Sequence, residues 1–439
     1  MENETNFTVP VLGPCKVQSP VKMSKIHGDK LANYVADDEF ILFDLNARPK
    51  DPRREYNKEE LLEKAGPREM VYFNPSHVHA AIVTCGGLCP GLNDVIRAIV
   101  HCLWYRYGIK RITGIRYGYR GFLSEYNIPT MELNPEIVKS IHNQGGTILG
   151  SSRGGGDVPA IADAIERMNI NILFTIGGDG TLNGALAIAR ELETRNTKVA
   201  VIGIPKTIDN DISFVERSFG FETAVTKAVE AIHSAHVEAN DSVHGIGLVK
   251  VMGRDAGFIA ASTSLATSDV NFCLIPEFQF DLEGPNGLFV HLEKRLLARN
   301  HAVILAAEGA GQDLMNPTGQ ADESGNKKLG DIGAYLKTEI SQYFKKRNIE
   351  VNMKYIDPSY MIRSAPAFPT DSIYCARLGT NAVHAAMAGR TKVLISLVNN
   401  VLVHLPIEIA VSRKNSVDIE GSLWRDVLET TGQPVVMKN

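Results

Sequence analysis

The residue types best suited to chemistry stand together in one short segment, Pro205-Lys206-Thr207-Ile208-Asp209-Asn210-Asp211. Two carboxylates, a lysine and a hydroxyl follow an apolar run, a mixture that structural needs alone rarely demand. Asp209 has the chemistry of a base that accepts a proton from an attacking sugar hydroxyl. Lys206 and Thr207 can donate to a transferring phosphoryl group. Asp211 either supports a metal or caps the following segment. The segment therefore predicts phosphoryl transfer to a hydroxyl.

An earlier segment places one carboxylate among glycines, Gly177-Gly178-Asp179-Gly180-Thr181. It follows an apolar run and precedes a predicted helix over residues 182–193. Asp179 can hold Mg²⁺ through one or two oxygens while water and phosphate fill the metal's other positions. The alternative is that Asp179 only caps the helix. The surrounding glycines favour ligand binding, because they let a ligand approach the backbone closely.

Two further segments have the features of phosphate-binding loops. The first is Cys85-Gly86-Gly87-Leu88-Cys89-Pro90-Gly91, in which N–H groups of glycines without a Cβ can reach phosphate oxygens. The second is Gly150-Ser151-Ser152-Arg153-Gly154, in which a bidentate guanidinium suits a phosphate. Cys85 and Cys89 lack a second Cys or His pair at zinc-site spacing, which disfavours a metal site there.

The elements that position these segments are those of a parallel sheet covered by helices on both faces. Short apolar, β-branched runs alternate with amphipathic segments of helix length. Strands are predicted at residues 78–84, 172–176, 199–204, 247–251, 302–307 and 392–397. Ligands of such sheets bind beyond the carboxyl ends of the strands, where the glycine-rich segments lie. Residues 1–75 are predicted to wrap the core, and residues 309–327 to form a polar loop.

Composition limits the classes of partner. The 439 residues are 44% hydrophobic and 22% charged, which is ordinary for a globular protein of two or three domains. A formal net charge of −4 gives no basic excess for nucleic acid or an anionic membrane. Six scattered cysteines form no disulfide framework, and the first 20 residues lack the features of a signal peptide. We therefore expect a cytoplasmic protein that binds small molecules.

Taken together, the motifs resemble those of the 6-phosphofructokinases over residues 78–412. NAD kinases and diacylglycerol-type lipid kinases share a GGDGT-like loop, whereas its combination with PKTIDND, Met252-Gly253-Arg254 and Pro276-Glu277 is specific. The resemblance implies two Rossmann-like three-layer α/β/α domains with the active site in the cleft between them. The implied organisation is an N-terminal extension (1–75), a phosphoryl-donor domain (76–221 and 362–412) and a sugar-phosphate domain (222–361 and 413–439).

The resemblance also implies a reaction and roles for single residues. ATP would phosphorylate the 1-hydroxyl of fructose 6-phosphate with Mg²⁺. Asp209 looks like the catalytic base, Asp179 the magnesium ligand, and Thr207, Lys206 and Arg153 the groups that contact the phosphoryl. The family's nucleotide-contacting positions fall on Gly87, Tyr119, Arg153, Gly178, Asp179, Gly180, Thr181 and Gly184.

The resemblance places the sugar contacts in the second half of the chain. Besides Thr207 and Asp209, the sugar-contacting positions fall on Met252, Gly253, Arg254 and Glu277, and those of the 6-phosphate pocket on Lys354, Tyr360 and Arg363. Short bacterial members carry an arginine seven residues before the methionine of Met-Gly-Arg, and it reaches the neighbouring subunit's substrate. This chain has Gly245 there, so it looks more like the longer branch of the family. The family is usually dimeric or tetrameric.

The phosphoryl donor depends on two positions. Pyrophosphate users of the family carry aspartate after the metal-binding Asp, where it fills the space of the α-phosphate of ATP and repels its charge. Gly180 removes both obstacles and favours ATP. Lys206 favours the other donor, because pyrophosphate users have lysine there, although the longer ATP-using branch also combines it with GGDGT. Exclusion is the stronger constraint, so we expect ATP.

Other readings of the motifs remain as alternatives. One is a pyrophosphate-dependent phosphotransferase. Another, of a different class, is a non-catalytic regulatory subunit of the same fold, which the presence of both Asp179 and Asp209 opposes. An NAD kinase is opposed by PKTIDND and by the sugar-phosphate motifs.

Overall fold

The computed structural model describes residues 6–44, 56–154, 156–315 and 328–439. The strands in these ranges are β1 (Val17–Gln18), β2 (Phe40–Leu42), β3 (Leu61–Lys64), β4 (Met70–Val71), β5 (His79–Thr84), β6 (Arg111–Ile115), β7 (Met131–Glu132), β8 (Ile172–Gly177), β9 (Ala200–Pro205), β10 (Gly245–Val251), β11 (Phe272–Leu274), β12 (His301–Ala307), β13 (Asn352–Ile356), β14 (Val393–Val398) and β15 (Val401–Pro406).

The α-helices in the same ranges are α1 (Leu92–His101), α2 (Val158–Arg167), α3 (Asp179–Thr194), α4 (Phe221–Asn240), α5 (Phe258–Thr267), α6 (Leu288–Arg299), α7 (Ile332–Lys346), α8 (Ser359–Arg363), α9 (Pro369–Met387), α10 (Ile407–Ala410) and α11 (Ser422–Thr431). In these ranges, no helix is both long and apolar enough to cross a membrane.

The first of two compact units comprises Met1–Thr207, Ile212–Gly220 and Pro366–Lys414. Its large sheet has the strand order β2-β3-β15-β14-β9-β8-β5-β6-β7, in which β14, β9, β8, β5 and β6 run parallel. Every residue of β5, β8, β9 and β14 is buried, so both faces of the central sheet are covered. Helices α1 and α9 pack together, as do α2 and α3.

The second unit comprises Ile208–Asp211, Phe221–Ala365 and Asn415–Asn439. Its sheet is parallel throughout, with the strand order β11-β12-β10-β13. Helices α4, α5 and α6 contact β12. The predicted class, two α/β domains with sheets flanked by helices, is confirmed.

All six predicted strands are present, with boundaries shifted by one or two residues. The helix predicted from residue 182 begins earlier, at Asp179, so the glycine-rich turn is shorter than expected. The helix after the first loop ends in a π-helical turn, Cys102–Arg106. The other nine strands in the described residues were not predicted, and in two of them, β6 and β13, charged and polar residues interrupt the apolar pattern.

The N-terminal segment, predicted as an extension that wraps the core, lies in the first unit. Strands β2 and β3 join the large sheet through β15. Within β3, the buried carboxylate of Glu63 accepts hydrogen bonds from Arg68 and Arg390, each over 2.8 Å. Residues 45–55 of this segment, and residues 316–327 of the predicted polar loop, lie outside the described residues.

Candidate active site

The loop after β5 lies against the loop that carries Arg153. Gly86 has a φ of +85°, and its N–H donates to the carbonyl of Ser152 over 2.9 Å. The hydroxyl of Ser151 donates to the carbonyl of Gly86 over 2.6 Å. A Cβ on Gly87 would stand 4.0 Å from Nη2 of Arg153. The structure therefore brings together Gly87 and Arg153, two predicted contacts of the phosphoryl donor.

Lys206 joins this group from the end of β9. Its side chain is buried, and Nζ donates to the carbonyl of Gly87 over 2.9 Å. Its backbone N–H donates to the carbonyl of Gly177 at the end of β8 over 3.0 Å. Neighbouring parallel strands end at one edge of the sheet, which is why segments distant in sequence meet here. Two cations beside glycine backbone form a suitable setting for a polyphosphate.

Asp179 is the first residue of α3, and Gly178 occupies the N-cap position. The alternative in which Asp179 caps the helix is therefore wrong. In the part of the chain that the structure describes, no group of three or more His, Cys, Asp or Glu side chains could hold a metal. Mg²⁺ is commonly held by one or two carboxylates together with water and substrate phosphates, so a single partly exposed Asp179 fits this ion.

Gly180, the residue after Asp179, is surrounded by open space. A Cβ built on it would meet no heavy atom within 4 Å, and the residue is exposed. The position therefore has room for a side chain of its own or for part of a ligand. Because the residue is glycine, no side chain fills that room.

Tyr119 lies behind α3. Its side chain is 2% exposed, and its hydroxyl donates to the carbonyl of Thr181 over 2.7 Å. A Cβ on Gly184 would come within 2.7 Å of the Tyr119 ring. Tyr119 thus supports the helix that begins with Asp179, and Gly184 makes room for the ring. Their predicted contacts with a nucleotide stay predictions.

The packing of this ring gives a stability prediction. We expect Gly184→Ala to destabilise the fold by about 1–3 kcal/mol, because the new methyl group overlaps the Tyr119 ring. Gly180→Ala is the matched control on the same helix, and it should be neutral or stabilising by up to about 1 kcal/mol. Thermal and urea unfolding of both variants measure the difference. Equal stability of the two variants would contradict this view of the ring.

In the second unit, Asp209 meets the turn that follows β10. The backbone N–H of Arg254 donates to Oδ2 of Asp209 over 3.3 Å. The turn depends on Gly253, which has a φ of +121° and whose Cβ would stand 2.6 Å from the carbonyl oxygen of Ala256. The structure therefore brings the predicted residues Asp209, Gly253 and Arg254 together. Met252, which directly precedes Gly253, is buried.

The surroundings of Asp209 suit a base. Burial, together with the nearby charges of Asp211 and Glu308, raises the pKa of Asp209 from its ordinary value of 3.8 to about 7. The Arg254 N–H and the charge of Arg363 act in the opposite direction. A carboxylate with a pKa near neutrality can both accept and release a proton under physiological conditions.

Glu308 is a functional candidate that the sequence analysis missed. It directly follows β12, at the same edge of the sheet as the end of β10, and its charge acts on Asp209. The signal was available, because Glu308 is the first polar residue after the apolar run of residues 302–307. The rule that singled out the other strand ends applies to it equally.

Glu277 holds two backbone segments together. Its Oε1 accepts from the N–H of Gly257 over 3.0 Å and from that of Val417 over 2.7 Å. Burial raises the pKa of Glu277, and these two hydrogen bonds oppose the rise. The structure thus gives Glu277 a bracing contact at the start of α5, and its predicted contact with a sugar stays a prediction.

The three predicted 6-phosphate residues lie on two elements, Lys354 on β13 and both Tyr360 and Arg363 on α8. Arg363 is near enough for its charge to act on Asp209. Lys354 pairs in register with Gly247, five residues before Met252, so it lies roughly 16 Å back along the strand direction. Its Nζ is 3.7 Å from a carboxylate oxygen of Glu238. Tyr360 is 83% exposed on α8. The predicted contacts of these three residues with a 6-phosphate stay predictions.

Lys250, which the sequence analysis did not single out, fastens the turn before α8. Its Nζ lies 2.9 Å from Oδ2 of Asp357 and 3.1 Å from Oδ1 of Asp331, the N-cap of α7. Oδ1 of Asp357 accepts from both the N–H and the hydroxyl of Ser359. Although burial acts the other way, the two carboxylates raise the pKa of Lys250. The ammonium thereby joins the turn before α8 to the N-terminus of α7.

Comparison with known proteins shows which family this chain is similar to. A family model described as Phosphofructokinase matches residues 79–386. The chain is 56% identical to the ATP-dependent 6-phosphofructokinase of Borreliella burgdorferi, over 100% of this chain and 99% of that protein. It is 45% identical to the proteins of the same name from Amycolatopsis methanolica, over 98% of this chain and 95% of that one, and Trypanosoma cruzi, over 94% and 88%.

Solved structures share the fold at much lower identity. A pyrophosphate-dependent phosphofructokinase from Marinobacter aquaeolei superposes with a TM-score of 0.67 at 19% identity, covering 81% of this chain and 91% of that one. Pichia pastoris phosphofructokinase in the T-state gives a TM-score of 0.62 at 21% identity, covering 81% and 37%. The family model matches most of this chain, and a relative at 56% identity aligns with it from end to end. This chain therefore belongs to the phosphofructokinase family.

Proposed function

We propose that this protein is an ATP-dependent 6-phosphofructokinase, which phosphorylates the 1-hydroxyl of fructose 6-phosphate with Mg²⁺. The observation that carries the proposal is the carboxylate of Asp209, which accepts from the Arg254 N–H and whose pKa is raised to about 7 by burial and by its acidic neighbours. Such a group can take the proton of a sugar hydroxyl as that hydroxyl attacks the phosphoryl group. On the family resemblance we also propose a homodimer or homotetramer.

The donor side is assigned to the first unit. Lys206 and Arg153 contribute positive charge beside the backbone of Gly87, where they would bind and orient the phosphates of the donor. Thr207, two residues before Asp209, contributes a hydroxyl that can donate to the transferring group. Asp179 would hold the metal. When bound, Mg²⁺ supplies charge neutralisation to the phosphate oxygens.

ATP is favoured over pyrophosphate by the space at position 180. A glycine with no heavy atom within 4 Å of its Cβ position leaves room for an α-phosphate. The full-length relatives at 45% and 56% identity carry ATP-dependent names. Lys206 supports the pyrophosphate alternative only weakly, because an ammonium on the carbonyl of Gly87 can contact the terminal phosphate of either donor.

The proposal is tested by product analysis. Purified protein is incubated with fructose 6-phosphate, ATP and Mg²⁺, and phosphorus NMR follows the products. We expect ADP and fructose 1,6-bisphosphate in equal amounts, with no product when fructose 6-phosphate is omitted. Substrate binding without turnover would instead support the non-catalytic alternative.

The raised pKa of Asp209 gives a prediction for pH dependence. We expect kcat/KM for fructose 6-phosphate to rise with pH along a limb of apparent pKa about 7, because only ionised Asp209 accepts a proton. Because the pKa of Asp209 is higher in the folded than in the unfolded protein, protonation of Asp209 stabilises the folded state. This stabilisation is complete below about pH 4 and is lost as the pH rises through 7. Asp211→Asn, which removes a like charge, should shift the limb to lower pH. A limb that stays in place would contradict this cause of the shift.

The contacts of Lys250 predict a selective binding defect. We expect Lys250→Met to raise KM for fructose 6-phosphate about tenfold, because losing charge-assisted hydrogen bonds frees the turn before α8. kcat and KM for ATP should change by less than about threefold. Lys392→Met is the matched control, since Lys392 makes a 2.9 Å ion pair with Glu193 in the other unit. Equal steady-state constants for the two variants would contradict the prediction.

A further inference from the structure

The segment of residues 212–220 directly follows residues 205–211, which carry the proposed catalytic base, and it contacts Thr207. The hydroxyl of Ser218 donates to the backbone carbonyl of Thr207 in a short hydrogen bond. The same segment is fixed to β14, because the N–H of Glu216 donates to the carbonyl of Leu397 over 3.2 Å. Any change in the path of this segment is therefore transmitted to a residue proposed to contact the phosphoryl group.

The path of the segment depends on Phe214. Its φ is +59°, in the left-handed region that a bulky side chain rarely adopts. Such a conformation persists only when the surrounding structure enforces it, and it is typical of functional sites. The carbonyl of Phe214 accepts from the hydroxyl of Ser396 over 3.0 Å. The guanidinium of Arg413 lies 4.6 Å from the ring centre and also donates to Ser213 over 3.1 Å.

Two rings from the N-terminal segment complete the surroundings of Phe214. Phe43 lies with its ring centre 5.0 Å from that of Phe214, and Phe7 lies 5.7 Å away, both edge-on. Phe7 is 4% exposed, and its N–H donates to the carbonyl of Glu59 over 2.7 Å. Asn399 donates to the carbonyls of residues 42 and 43 over 2.9 and 3.1 Å. The N-terminal segment thus meets the core at the strained residue.

We propose that Phe7 and Phe43 are positioning residues for phosphoryl transfer. By packing against Phe214 they hold its backbone in the left-handed conformation, which keeps Ser218 in reach of Thr207. This inference rests on the proposed function, because it assigns the N-terminal segment a part in that reaction. A purely structural contact would affect stability without affecting turnover.

The test restores the backbone conformation by a second route. Phe7→Ala should lower kcat about tenfold, because without the ring contact the left-handed conformation is no longer favoured at Phe214. KM for both substrates should change by less than about threefold. Phe214→Gly adopts the left-handed conformation without strain, so the double variant Phe7→Ala/Phe214→Gly should recover kcat to within about threefold of the wild type.

A matched control separates positioning from stability. Val21→Ala truncates another buried side chain of the N-terminal segment, whereas the rings around Phe214 are those of Phe7 and Phe43. This control should lower the unfolding midpoint without lowering kcat. If Phe7→Ala does not fold, Phe214→Ala and Phe214→Gly are compared instead, and only the glycine variant should keep wild-type kcat. Both variants lose the ring equally.

The inference is overturned if Phe7→Ala keeps wild-type kcat, or if the double variant is no more active than Phe7→Ala. The inference is also overturned if Phe214→Ala and Phe214→Gly have equal kcat. Every rate is compared with the wild type. Absence of fructose 6-phosphate turnover in the wild type would refute the proposed function itself, which is a distinguishable outcome.

Discussion

Asp209→Asn should lower kcat with fructose 6-phosphate by about 10² to 10⁴-fold, because the amide cannot accept the proton of the attacking hydroxyl. The substitution keeps the shape of the side chain, and an amide oxygen can still accept from the Arg254 N–H at 3.3 Å. KM for fructose 6-phosphate should therefore stay near the wild-type value. The measurement is a steady-state comparison at saturating ATP and Mg²⁺.

Glu308→Gln provides a matched control for Asp209→Asn. It removes a charge that raises the pKa of Asp209 while leaving the base in place, so its loss of kcat should be far smaller. The acid limb of the pH profile should be absent from the residual activity of Asp209→Asn. Turnover of Asp209→Asn within about threefold of the wild type would show that Asp209 is not the base.

Gly180→Asp should lower kcat/KM for ATP by about 100-fold or more. The open position accepts the side chain without a clash inside the protein, so the variant should fold normally. The new carboxylate would then occupy the room left for the α-phosphate, and juxtaposed like charges cost several kcal/mol. Pyrophosphate has no α-phosphate of this kind, so kcat/KM for pyrophosphate should fall much less than that for ATP or should even rise.

Gly180→Asn separates volume from charge. Asparagine has nearly the same shape as aspartate, and it should cause a smaller loss with ATP because the electrostatic repulsion is missing. If Gly180→Asp used ATP within about threefold of the wild type, position 180 would not determine the donor. Initial rates with the two donors at matched Mg²⁺ concentrations decide between these outcomes.

The parts of the structure that could be predicted are those encoded in local pattern. Six apolar runs predicted six strands, and the rule that ligands bind beyond strand ends pointed to residues 177–181 and 205–211. Parallel strands then bring Lys206 and Gly87 into contact although 119 positions separate them. For such residues, type and position after a strand were sufficient.

The parts that escaped prediction depend on long-range packing. That Tyr119 is covered by α3 follows from the space above Gly184, which no local pattern reports. The distance of Lys354 from Met252 follows from the register of β13 on β10. The rings that pack against the left-handed Phe214 come from the far N-terminus, so nothing near residue 214 indicates them. Glu308 is different, because the sequence alone places it directly after the apolar run that forms β12.

The central claim, ATP-dependent phosphorylation of fructose 6-phosphate, is tested most directly by comparing donors. The measurement is kcat/KM of the wild-type protein for ATP and for pyrophosphate, each with saturating fructose 6-phosphate and Mg²⁺. We predict a value for ATP that exceeds that for pyrophosphate by about 100-fold or more, because Gly180 leaves room for the α-phosphate. A value for pyrophosphate equal to or above that for ATP would contradict the claim.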